Sequence, residues 1–152
     1  MNPNGANEYL KAKVLTATPE QLQLMLFDGA VKFAEKAKLA LVAKDYEQSY
    51  HNLSKAEKIL LELNCSLRPK VAPDLCKNLA AIYTFCYRKL VEANTTRNVE
   101  AIDEVLTLLK YQRETWVLLM QQLSKAKAGA AAQSIAMPAP DERMEQRFKM
   151  SA

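Results

Sequence analysis

His51 is the one histidine in the chain and the side chain with the most chemistry to offer. A histidine on a helix can carry a phosphoryl group when a cation lies beside the phosphate and a small residue leaves room for it, as in the pattern His-x-x-Lys-Gly. Here the run is His51-Asn-Leu-Ser-Lys55-Ala, so the lysine comes one place late and no glycine follows. No carboxylate stands near His51 in a spacing that suits acid–base work, and Asp28 and Glu35, at i,i+7, make an ordinary helix-surface pair. A nucleophile elbow, a P-loop and a glycine-rich phosphate loop are all missing from the sequence. Cys65, Cys76 and Cys86 are odd in number and lack a C-x-x-C pairing. With one histidine to help them they do not make a metal site, and in a reducing compartment they read as small buried hydrophobes. The expectation is a protein that is not an enzyme and needs neither metal nor cofactor.

The elements around these residues are helical. Of 152 residues, 49% are hydrophobic and only three are glycine, which suits helices and not a turn-rich β fold. The net charge is +4, and the basic residues alternate with acids, as in Lys32, Glu35, Lys36 and Lys38. Such interleaving is a solvated face, so no nucleic-acid partner is expected. Without an 18-residue apolar run there is no membrane insertion, and Met1-Asn-Pro-Asn-Gly5 does not read as a secretory leader, so the expected location is the cytoplasm.

Thr18, Pro19 and Gln21 spell a helix start, and that helix should run from Pro19 to about Lys44. Its inward stripe, by spacing, is Leu22, Met25, Leu26, Gly29, Phe33, Ala37, Ala40 and Leu41, with Gly29 marking close approach of a neighbour. Asp45 caps a second helix to about Asn64, with Tyr46, Ser49, Tyr50, Leu53, Ala56, Leu60 and Leu63 expected inward and Pro69 and Pro73 in the connection after it. A third helix runs from Pro73 to about Asn94, and Asn98 caps a fourth from Val99 to about Lys127. Short links make these an all-α, antiparallel, up-down-up-down four-helix bundle over residues 1–127. Residues 1–15 are expected to be loose, 128–152 to be a flexible Ala/Pro-rich tail, and 141–150 to form at most a marginal helical turn or two.

The bundle has apolar residues to spare. On the first helix Leu24, Phe27 and Val31 line up away from the main stripe, and on the fourth Leu108, Tyr111 and Leu118 do the same. Two such seams suit a groove for an amphipathic partner; equally, a bundle of uneven cross-section or a tail lying over them would bury them.

One family shares these runs. Tyr9, then Val14-Leu-Thr-Ala-Thr-Pro-Glu-Gln-Leu22 and Leu24-Met-Leu-Phe-Asp-Gly-Ala-Val-Lys-Phe33, resemble the opening of the flagellar secretion chaperone FliS, the export chaperone of flagellin. The likeness continues through Lys55-Ala-Glu-Lys-Ile-Leu-Leu-Glu-Leu63, Asn78-Leu-Ala-Ala-Ile-Tyr83, Leu90-Val-Glu-Ala-Asn94 and Val105…Leu109…Arg113-Glu-x-Trp116, covering about residues 9–123. Phe27 stands where the family usually has Tyr, the two-proline connection at 65–73 replaces a glycine-bearing loop, and the tail after Lys127 has no counterpart. The resemblance implies a chaperone that binds the C-terminal helical segment of flagellin, prevents premature polymerisation and delivers it to the flagellar type III export gate. It places Tyr9 in client binding, and with the seams it nominates Tyr9, Leu24, Phe27, Val31, Leu108 and Tyr111 as the client surface. A groove without client would also let two copies of the chain pair. The competing expectations are a histidine phosphotransfer bundle working through His51 and a generic helical scaffold.

Overall fold

The computed structural model describes residues 3–136, with side chains described for 5–130. Five helices follow one another: α1 (Pro3–Thr16), α2 (Pro19–Val42), α3 (Tyr46–Cys65), α4 (Pro73–Thr96) and α5 (Val99–Ala136), with no strand among the described residues. By contacts the chain divides into one compact unit, Met1–Val117, and a second that begins at Leu118.

The start of α2 is held by a reciprocal cap. The Gln21 amide donates to Thr18 Oγ1 at 3.2 Å and the Thr18 amide to Gln21 Oε1 at 3.0 Å, with Pro19 in the first turn where its missing N–H costs nothing. At its other end Lys44 takes a left-handed conformation, φ 60°, while the Asp45 and Lys44 amides donate back to Ala40 O and Leu41 O. This is a Schellman stop made without glycine. Asp45 then accepts from the Gln48 amide at 3.2 Å and begins α3, and Asn98 accepts from the Glu100 amide at 3.0 Å to begin α5. Between α4 and α5, Arg97 is also left-handed, φ 56°, and its guanidinium stacks 3.6 Å from the centroid of the Tyr46 ring.

Within the first unit α2, α3, α4 and the opening of α5 form the expected antiparallel bundle. The core is filled by Leu53, Leu60, Leu63, Tyr83, Cys86, Leu90, Ile102, Val105 and Leu109, and the Phe27 and Tyr83 rings meet across it at 6.5 Å. Burial pushes the Tyr83 hydroxyl up to about 12, helped by Cys86, and the Cys86 thiol up to about 11. A Cβ added to Gly29 would lie 3.1 Å from Ile59 Cδ1, so the interior glycine does mark close approach, of α3. Lys38–Asp103 at 2.6 Å, Glu35–Lys110 at 2.9 Å and Asp28–Arg113 pair α2 with α5 in antiparallel register, and Trp116 Nε1 donates to Glu20 O at 3.0 Å.

Several expectations change. The N-terminal segment is helical over Pro3–Thr16: α1 begins with Pro3 at the first helical position, where proline is tolerated, and continues through the helix formers Leu10, Lys11, Ala12 and Lys13. The last helix does not end near Lys127 but runs to Ala136, because the Ala-rich stretch that reads as a linker is also a good helix former. The turns expected at 141–150 lie outside the described residues. Cys76 and Cys86 are buried, but Cys65, in the last turn of α3, is exposed.

Candidate functional site

The inward face of α2 is not the one that side-chain size suggests. Its buried residues are Phe27, Ala30, Ala34, Ala37 and Leu41, and the alanines let α2 approach its neighbours closely. Phe27, expected on an outer seam, is 3% exposed and belongs to the core. The correction has a simple cause: Phe27, Ala30, Ala34, Ala37 and Leu41 are spaced by three and four, and that line is rotated away from the larger Leu22, Met25, Leu26 and Phe33.

Those four large residues are left half-buried, together with Gly29, and they floor a groove of ≈ 550 Å³ between α1 and α2. Leu10, Lys13 and Val14 of α1 form the opposite wall, and Asp28, Lys32 and Glu62 complete the lining. The α1 wall is held lightly. Every α1 side chain that is described is exposed, and Leu10 and Val14, although they face the groove, are 52% and 42% exposed. Such an arrangement leaves apolar area accessible along the groove.

The nominated residues do not all come together. Leu24 and Val31 share a line with Asp28, Glu35 and Lys38, the residues ion-paired to α5, so they lie half-buried on the α5 side of α2. Leu108 and Tyr111 follow Glu104, which pairs with Lys89 of α4 at 3.3 Å, and so lie on the α4 side of α5, Leu108 half-buried and Tyr111 exposed. Phe85, itself exposed and under the Lys89 ammonium, extends that second seam. Tyr9 is 72% exposed on α1 and does not line the groove, whose α1 residues are Leu10, Lys13 and Val14. Sequence spacing does not reveal the floor itself: Leu22, Met25, Leu26 and Phe33 read as core by their periodicity, and the structure leaves them half-buried. The usable signal was there, since α2 has more large apolar residues than one stripe can hold.

His51 is exposed on α3, 3.9 Å from Glu47 Oε1 and edge-on to Tyr50, while Lys55 reaches over Phe33. No cluster of three or more metal-ligating side chains and no helix long and apolar enough to cross a membrane occurs among the described residues.

Known proteins resemble this chain in sequence and in fold. The family described as "Flagellar protein FliS" matches residues 2–123. The chain is 34% identical to the flagellar secretion chaperone FliS of Bacillus subtilis over 127 residues, 84% of this chain and 94% of that protein. It is 32% identical to the FliS of Escherichia coli over 108 residues, 70% of this chain and 79% of that one. A solved structure described as a flagellar chaperone from bacteria superposes with a TM-score of 0.65 at 19% identity, over 78% of this chain and 97% of its own, and supports the fold. On sequence and architecture together, this chain belongs to the FliS family of flagellar secretion chaperones.

Proposed function

We propose that the protein is a cytoplasmic, non-enzymatic chaperone whose α1–α2 groove receives an amphipathic helix from the C-terminal segment of flagellin, keeps that segment from polymerising and hands it to the flagellar export apparatus. The observation that carries this reading is the row Leu22, Met25, Leu26 and Phe33, held half-exposed beside an already complete core. Covering what remains accessible on these residues would contribute roughly 1 kcal/mol each, enough in sum to offset the ordering of an unfolded segment. A segment that is disordered alone and amphipathic when helical gains its fold from that burial. Tyr9 on α1, and Leu108 with Tyr111 on the α4–α5 seam, are outer contacts available to a segment longer than one helix. Leu24 and Val31 back the α2–α5 side, and Phe27 supports the floor from inside the core.

The test is co-purification of the chain with flagellin carrying or lacking its last ~40 residues, a span sized for two helices of three to four turns. Only the intact flagellin should be recovered, and Met25→Asp with Leu26→Asp should abolish recovery while the variant still melts cooperatively. Equal recovery of both flagellins would defeat the reading in favour of a generic helical scaffold. Labelling of His51 by a phosphorylated receiver domain would favour phosphotransfer.

A further inference from the structure

We infer that the groove selects a helix with an acidic flank, through a cluster of ammonium groups at its Phe33 end; this rests on the groove reading just given. The Nζ atoms of Lys32, Lys36 and Lys55 lie 5.8, 6.0 and 5.2 Å from the centroid of the Phe33 ring. They come from two helices, so the cluster is assembled by the fold. None of the three makes an ion pair among the described residues, whereas Lys38, Lys89, Lys110 and Arg113 all do. Of the two carboxylates that line the groove, Asp28 is engaged by Arg113, which leaves Glu62.

Ammonium groups gathered this way repel one another, and Lys32 with Lys36 is a like-charge pair at i,i+4, an unfavourable spacing on a helix. The face of Phe33 offsets part of that repulsion. A carboxylate placed among the three ammoniums relieves the rest, and its attraction strengthens as the apolar contact beside it expels water. The floor thus supplies an anchor for apolar residues, and the cluster sets the sign of charge on the edge of the helix that runs past Phe33. A nucleic acid would need cations tracking a backbone with rings open for stacking, but here the ring is half-buried beneath the lysines.

The test titrates the full-length chain with the last ~40 residues of the flagellin from the same bacterium, alongside a Lys32→Gln/Lys36→Gln/Lys55→Gln variant and the corresponding triple Arg variant. At about 50 mM salt the Gln variant should bind roughly tenfold more weakly, the gap should close towards about 500 mM, and the Arg variant should match the parent. A segment with its Asp and Glu changed to amides should bind the parent and the Gln variant alike. Thermal melts verify that both variants are folded. Unchanged affinity of the Gln variant, with the parent binding tightly, overturns the lysine inference and leaves the groove reading standing. An equal loss for the amide segment overturns it as well. Absence of binding to the parent overturns both readings. If the Gln variant loses only affinity for a single-stranded oligonucleotide, the cluster is a nucleic-acid site and the inference falls.

Discussion

Glu57 of α3 carries a carboxylate oxygen shut away from water without a hydrogen-bond partner among the described residues, and desolvation holds its carboxyl above the ordinary carboxylate range. A native pKa above the unfolded one means the folded chain holds the proton more tightly. This group's contribution to stability therefore falls as pH rises from the ordinary value through the raised one, and levels off beyond it. Glu57→Met should raise stability at neutral pH by about 1 kcal/mol, the cost of an unsatisfied buried polar group, or about 2–4 °C in Tm. Melting curves collected from about pH 4 to about pH 8 check this, with the gain shrinking towards the acid end. Burial pushes Cys86 the same way, but a thiol is already largely neutral near pH 7, so it serves the core as a small apolar group without that cost.

At the scale of the element, α2 bears the groove floor, and the floor begins one turn from the capping box at Thr18. Thr18→Ala should cost about 1 kcal/mol of stability and speed hydrogen exchange most in the first turn of α2, fraying Leu22 and Met25 before anything deeper. The position of α2 was legible from Thr18, Pro19 and Gln21, and the bundle from four amphipathic stretches joined by short links. The rotation of α2 was not. Spacing shows that apolar residues recur at three and four, but not which of two overlapping lines faces inward. Here close helix packing favours the alanines, leaving the larger residues to the groove. Phe27 therefore moved inward, and Leu22, Met25, Leu26 and Phe33 became the surplus. α1 escaped notice for a related reason: it forms without burying any described side chain, so it leaves no amphipathic trace. The lysine cluster brings Lys55 of α3 to a ring on α2, and spacing along one helix cannot show that.

For the molecule as a whole, exposure along α1 implies that the bundle does not depend on it. A chain lacking residues 1–16 should melt within about 2–4 °C of the full chain and keep the same urea m-value, since little additional surface is hidden by that helix. A large drop in either would mean that α1 is an integral wall. The two ends of the bundle differ in a way that matters for anything entering the groove. At one end the left-handed Arg97 lies flat on Tyr46 and ties the α4–α5 corner to the α2–α3 corner. The groove opens towards the other end, where α2 begins, α3 finishes and seven residues separate α3 from α4. One extremity is thus clasped shut by a cation resting on a ring, and the other carries the trough, so the fastened corner is kept apart from the accessible apolar face.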